Sequence, residues 1–260
     1  SFVRGVLELP ECSPTASRED LVRDAMFYSV REQINSVLFD HFESLARKNP
    51  NRWQSLIAWH RYLLAGAALE EPRLRHLLRD TYRFMTSRGE LTFPEIIAAS
   101  QTSSIHTTDE DFVIWYNPSR YQESWINEVF ADLPVPCVHT LRSFEETLLA
   151  LMVSDLLNEG VSVDLRIATP SSEDFAEVVL GIQELSTASR EWEQFFADLP
   201  VLVRVGEYHK DIPVLAFLSE QAELQRTFEG LKKQGTMPSG FQRLIEAHFQ
   251  HDRPRPNEVI

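Results

Sequence analysis

The run Phe112-Val113-Ile114-Trp115-Tyr116 decides the fold class. Consecutive apolar residues, rich in β-branched and aromatic side chains, indicate a strand that is buried on both faces. Alternating helix-like and strand-like segments follow it, at residues 122–132, 135–139, 144–157 and 161–167. Strand–helix–strand–helix–strand in so short a span is typical of a parallel sheet with right-handed crossovers. Residues 111–167 are therefore predicted to form a small three-stranded parallel α/β unit.

The residues before this unit are predicted to form a helical layer, which we assign to residues 21–100. Ser17 precedes a charged stretch and is a candidate N-cap for a long amphipathic helix that ends near Pro50. Thr92, with Glu95 three residues later, matches a capping box at the start of a short helix. The other helices of this layer are predicted at about residues 52–65 and 72–85.

The residues after the unit are predicted to form a small α+β C-terminal domain, residues 180–260. Residues 168–177 contain Pro, Ser, Asp and Glu and are the best linker candidate between residues 21–170 and this domain. The predicted elements are a helix at 186–197, strands at 201–205 and 214–218, and amphipathic helices at about 220–233 and 239–249. The fold class expected for the whole chain is mixed α/β (α+β).

Composition excludes several classes of function. The chain has 260 residues, a net charge of −14 and 43% apolar residues, and an acidic protein lacks the basic footprint that nucleic-acid binding leaves. No apolar run approaches the length of a membrane span, and no signal peptide is evident. Cys12 and Cys137 lie far apart and indicate reduced thiols. We therefore expect a cytoplasmic protein that binds neither nucleic acid nor membrane.

The first twenty residues carry the only specific motif. Phe2-Val3-Arg4-Gly5-Val6-Leu7-Glu8 is followed, after a turn-rich stretch, by Ser17-Arg18-Glu19. These blocks resemble, in register and without a gap, a signature of the heat shock protein 90 chaperone family. Between them the sequence departs from the family pattern at Leu9, Pro10, Cys12, Ser13 and Thr15. The resemblance implies a divergent, bacterial-type member, with residues 1–20 at the end of the family's large middle subdomain and residues 21–170 as its small middle subdomain.

The same resemblance implies a role for Arg18. In the family, the arginine of this motif lies in a catalytic loop and reaches the γ-phosphate of ATP, which the N-terminal domain holds with Mg²⁺. The full-length parent would then be an ATPase, whereas this chain alone is expected to bind no cofactor and to be no enzyme. Val22 stands where the family has a supporting glutamine.

A second segment resembles the family's client-binding helix. Leu224-Gln225-Arg226-Thr227-Phe228 takes the place of a family segment whose apolar side chains contact clients. Leu224, Phe228 and Leu231 are therefore candidate client-binding residues, or alternatively the packed face of their helix. The partners that the resemblance implies are non-native client proteins, the N-terminal ATPase domain of the same chain, and a second copy in a parental homodimer. The family's final dimerisation helices are expected to be missing from residues 180–260.

Two other classes of function stay open. Val22, in place of glutamine, is consistent with a standalone partner-binding scaffold that has lost the ATPase. An α/β enzyme would bind its ligand at the carboxyl ends of the parallel strands, near Asn117 and His139, but the sequence contains no nucleophile elbow, dinucleotide fingerprint or P-loop. No metal site is predicted, since His248 and His251 have no further ligand nearby.

Overall fold

The computed structural model divides the chain into two compact units, Ser1–Leu77 and Leu78–Ile260. The domain boundaries inferred from the sequence, at residues 20, 170 and 180, stay predictions. The residues that the structure describes are 8–10, 12–17, 19–101, 112–170, 172, 174–182, 187–198, 201–206, 214, 216–217 and 257–259.

The first unit is dominated by two long helices, α1 (Ala25–Lys48) and α2 (Pro50–Glu70). The predicted start of α1 after Ser17 is wrong, because Asp24 is the N-cap and its carboxylate accepts from the Phe27 N–H at 2.9 Å. Asn49 ends α1 and also caps α2, since its side-chain oxygen accepts from the Arg52 N–H at 3.2 Å. The Asn49-Pro50 pair thus stops one helix and begins the next.

The two helices pack through aromatic side chains. Trp53 of α2 is fully buried, and its ring centroid lies 5.5 Å from that of Phe42 on α1. A third helix, α3 (Pro72–Arg79), is joined to α1 by Arg73, whose guanidinium lies 2.8 Å from Asp40 and 2.7 Å from Glu43. Aromatic side chains thus pack between the helices and ion pairs lie at the surface, as expected for amphipathic helices.

The helix predicted at residues 72–85 is too long, because a hairpin replaces its second half. Helix α3 ends at Arg79, and strands β1 (Arg83–Thr86) and β2 (Gly89–Thr92) pair antiparallel. Gly89 has φ of +91°, a backbone conformation that glycine adopts readily, and the Thr86 hydroxyl donates to its carbonyl at 2.7 Å. The turn at Gly89 therefore overrides the helical periodicity upstream.

The parallel α/β unit is confirmed. Strands β3 (Phe112–Asn117), β4 (Cys137–His139) and β5 (Val163–Ile167) are parallel, with β3 in the middle. Because β1 adds antiparallel to β4, the hairpin extends these strands into a five-stranded sheet of order β2-β1-β4-β3-β5. The connecting helices are α4 (Phe93–Gln101), α5 (Glu123–Ala131) and α6 (Glu145–Asn158).

The Glu95 side of the capping box predicted before α4 is present. The Glu95 carboxylate accepts from the Thr92 N–H at 2.7 Å and from the Thr92 hydroxyl at 3.0 Å. These hydrogen bonds lower the pKa of Glu95. The box fixes the point at which β2 passes directly into α4.

The predicted linker at residues 168–177 is wrong, because its second half enters the core. Residues Phe175–Val179 form a single π-helical turn, in which the Phe175 side chain is completely buried. Its ring lies 5.5 Å from Trp115 of β3 and 6.2 Å from Phe130 of α5. Polar residues before the turn resemble a linker, but the apolar residues of the turn pack with α5 on one face of the sheet.

The remaining elements are α7 (Thr187–Phe195) and a three-stranded sheet of order β6-β8-β7. Helix α7, β6 (Val201–Val203) and β7 (Ala216–Phe217) agree with the predicted elements, whereas β8 (Asn257–Val259) was not predicted. The helices predicted at 220–233 and 239–249 lie outside the described residues. Within the described part of the chain, no helix has the length and apolarity needed to cross a membrane.

Candidate functional site

The residues to which the sequence assigns roles lie outside the described part of the chain. This holds for Arg18 and for the three candidate client-binding residues Leu224, Phe228 and Leu231. Their assignments stay predictions. The structure does describe the residues on both sides of Arg18.

These flanking residues close a loop, which we call the 13–22 loop. The Thr15 N–H donates to the carbonyl of Asp20 at 2.8 Å, and the Val22 N–H donates to the carbonyl of Ser13 at 2.8 Å. Each bond joins one residue before position 18 to one residue after it. The backbone on either side of Arg18 is therefore joined as the two arms of a hairpin.

Pro14 suits its place in this hairpin. It faces Leu21 in an isolated antiparallel bridge, and the hydrogen bonds on either side belong to the neighbouring residues. A position of this kind requires no N–H from the proline, so its missing donor costs nothing there. Residues 13–15 of the turn-rich stretch thus form one arm of this hairpin.

Residues 20–22 carry a charged side chain and one of the hydrogen bonds that close the loop. Asp20 accepts from the Leu21 N–H at 2.8 Å, and its other carboxylate oxygen lies 3.9 Å from the exposed guanidinium of Arg23. Val22 contributes to the closure through its main-chain N–H, and its side chain is partly exposed. The closure seen here therefore does not require the side chain of the family's glutamine.

A second polar cluster lies at the carboxyl ends of β3 and β4. The amide nitrogen of Asn117 lies 3.2 Å from Nδ1 of His139, and Nε2 of His139 lies 2.8 Å from Oδ1 of Asn127. An amide NH₂ can only donate and an amide oxygen can only accept. The imidazole is therefore assigned as neutral, with its proton on Nε2. We call these three side chains the His139 network.

The network holds His139 neutral. Burial lowers the pKa of the imidazole, and the charge of nearby Glu123 only partly opposes that effect. A second proton on Nδ1 would also meet the Asn117 donor. Both ring nitrogens are thus engaged, and in this arrangement His139 links β3, β4 and α5.

The start of α6 contains a buried carboxylate. Glu145 is almost fully buried, and it accepts from the Tyr82 hydroxyl at 2.8 Å and from the Arg142 N–H at 3.2 Å. Phe144 before it has φ of +72°, which is unusual for a residue other than glycine. The adjacent acids Glu145 and Glu146 thus have separate partners, since Glu146 accepts from the Tyr116 hydroxyl at 3.3 Å. Both acids lie in the first turn of α6, where the helix dipole favours negative charge.

Sequence patterns did not single out Asn127 or the partners of Glu145. The available signal was a polar residue next to apolar ones in α5, since Ile126 and Val129 near Asn127 are buried. Among the described residues, no group of three or more His, Cys, Asp and Glu could hold a metal ion. Cys137 is buried, and burial raises the pKa of its thiol well above the usual value.

Comparisons with known proteins give no family assignment. No protein-family model and no curated protein matches the chain. The case for a function therefore rests on the motif around Arg18 and on the arrangement of the elements that follow it.

Proposed function

We propose that this chain is the middle and C-terminal part of an ATP-dependent molecular chaperone that resembles heat shock protein 90. The observation that carries the proposal is the gap-free register of Phe2-Val3-Arg4-Gly5-Val6 with Ser17-Arg18-Glu19. The parent would hold ATP and Mg²⁺ in an N-terminal domain, act as a homodimer in the cytoplasm, and bind non-native client proteins.

Two structural features support this proposal. The 13–22 loop is closed by main-chain hydrogen bonds on both sides of position 18. A helical layer and then a parallel α/β unit follow it, and this is the order that the resemblance implies for the middle domain. The second feature lies outside the sequence motif, so it is a separate reason to favour the proposal.

In this proposal Arg18 completes the ATP site of another domain. A guanidinium stabilises the negative charge that develops on the γ-phosphate oxygens during phosphoryl transfer. The closed loop would limit the positions that Arg18 can take, so that less conformational entropy is lost when the domains meet. Bound Mg²⁺ would supply the remaining charge neutralisation.

The test compares two arginines in the protein encoded by the complete gene. Arg18→Ala is expected to lower the rate of ATP hydrolysis about 100-fold or more, with nucleotide affinity nearly unchanged. Arg23→Ala is the matched control, because it removes the same charge from an exposed side chain whose ion pair with Asp20 is 3.9 Å long. Equal hydrolysis rates for Arg18→Ala and the wild type would overturn the assigned role.

A partner-binding scaffold is the second candidate. It is favoured by Val22, which replaces the glutamine, and by an apolar face of α2 on which Trp59, Tyr62 and Leu63 are 85%, 56% and 59% exposed. The intact mass of the endogenous protein separates the candidates. A mass about twice the chain's 30.0 kDa or more supports the chaperone, whereas a mass near that value leaves Arg18 without a nucleotide domain and supports the scaffold.

A further inference from the structure

Helix α7 ends in a group of three aromatic rings, of which two are exposed. Trp192 and Phe196 are stacked, with ring centroids 5.8 Å apart and an interplanar angle of 12°. Phe195 meets both rings edge-on, at 6.1 Å from Trp192 and 4.9 Å from Phe196. Phe195 is nevertheless 75% exposed and Trp192 49% exposed. The rings thus contact one another, yet Trp192 and Phe195 leave much of their surface in water.

Carboxylates flank these rings on both sides. Glu191 lies one helical turn before Phe195, and Glu193 lies three residues before Phe196, so the two acids border opposite edges of the aromatic stripe. Asp198 follows the end of the helix, and all three acids are exposed. No ion pair joins any of them to another residue in the described part of the chain.

The one basic residue described in α7 is turned away from the rings. At about 100° per residue, Arg190 lies about 160° around the helix from Trp192. On α7 itself, the charged residues that border the aromatic stripe are therefore acidic. We call Trp192, Phe195 and Phe196, with Glu191 and Glu193, the α7 surface.

We propose that the α7 surface binds a cationic segment of a partner polypeptide, with an arginine or lysine side chain over the exposed rings. The face of an aromatic ring carries negative electrostatic potential and attracts a cation, most strongly in tryptophan. The flanking carboxylates add charge-assisted hydrogen bonds to the same cation. The aromatic rings and the carboxylates thus both favour a cationic side chain.

The charge of the surface disfavours other occupants. A second copy would bring its own carboxylates against Glu191 and Glu193, and like charges face to face are unfavourable. Phosphate groups of nucleic acid or of an anionic bilayer would meet the same repulsion. The stripe on α2 that includes Trp59 is more exposed but has no acid near it on that helix, so it lacks the flanking carboxylates of the α7 surface.

The α7 surface belongs to the second unit of the chain and the loop around Arg18 to the first. The proposal holds for a chaperone and for a scaffold alike, and it does not depend on ATP hydrolysis. Loss of turnover in Arg18→Ala and loss of peptide binding in an α7 variant are therefore independent results.

The experiment measures fluorescence anisotropy of a labelled peptide in which arginine alternates with leucine, titrated with the complete chain. We expect Trp192→Ala and Phe195→Ala each to weaken binding about tenfold. Glu191→Gln and Glu193→Gln should each weaken it about twofold to threefold, with a smaller effect at high salt. Trp59→Ala, the control for an exposed aromatic residue without flanking acids, should bind as the wild type does.

A second peptide tests the charge directly. Citrulline has nearly the shape of arginine without its charge, so the citrulline peptide should bind about tenfold more weakly. The proposal is overturned if citrulline and arginine peptides bind equally, or if Trp59→Ala weakens binding as much as Trp192→Ala. It is also overturned if the aromatic variants abolish self-association in sedimentation while peptide affinity is unchanged, since the surface would then bind a second copy.

Discussion

Replacing Phe175 by alanine tests whether residues 168–177 belong to the core of the second unit. The Phe175 side chain is fully buried, and its ring packs at 5.5 Å from Trp115, 6.1 Å from Trp125 and 6.2 Å from Phe130. Truncating a buried phenylalanine leaves a cavity and costs about 3–5 kcal/mol of unfolding free energy. Three aromatic partners place the expected loss near the middle of that range, about 4 kcal/mol.

The loss should be visible in thermal unfolding. For a unit of this size, 1 kcal/mol shifts Tm by about 2–4 °C, so Phe175→Ala should lower Tm by about 8–16 °C. Tryptophan fluorescence is a suitable probe, because Trp115 and Trp125 both contact the ring that is removed. The matched control is Phe195→Ala, the same substitution at a side chain that is 75% exposed, where we expect a shift of no more than about 2 °C.

Equal shifts for the two variants would refute this reasoning. Phe175 would then contribute no more to stability than an exposed side chain does, and the interpretation of residues 168–177 as a linker would have to be restored.

Three further predictions each concern one feature of the chain. Gly89→Ala should destabilise the hairpin by about 1–2 kcal/mol in urea unfolding, because φ is +91° while nothing lies within 4 Å of the added Cβ; an unchanged midpoint would show that the turn is not formed. The lowered pKa of His139 means that the unfolded chain binds a proton more readily, so stability should be complete above the unfolded pKa and decrease as pH falls below it. His139→Gln should remove that component of the pH dependence, and an identical pH profile would contradict a buried neutral imidazole. Replacing Leu224 and Phe228 by serine should weaken suppression of client aggregation without lowering Tm, whereas a large fall in Tm would favour core packing.

The parallel unit could be predicted from sequence because its strands are buried on both faces. Such strands form short continuous apolar runs, as at Phe112–Asn117, and the intervening segments are long enough to be helices. Where local signals agreed with the tertiary fold, as for the capping box at Thr92 and Glu95, the prediction was also correct.

The prediction failed where a few residues override a longer pattern. The periodicity of residues 72–85 is helical, but a glycine with positive φ allows a turn, and the alternation of Phe84 and Thr86 then suits a strand. At residues 168–177 the polar residues outnumber the apolar ones, yet one phenylalanine is enough to anchor the segment. The average composition of a segment does not reveal a single glycine or phenylalanine that determines its structure.

The polar clusters show a different limit. His139 and Asn117 end neighbouring strands, so their proximity follows from the parallel order, but Asn127 comes from the helix between those strands and meets His139 only after α5 packs. The contact with Asn127 changes what can be inferred about the chemistry of His139. A histidine with one free nitrogen at the carboxyl edge of a parallel sheet would be a candidate base, whereas both ring nitrogens of His139 already have hydrogen-bond partners. The residue that decides between these two roles is the one that no strand pattern identifies.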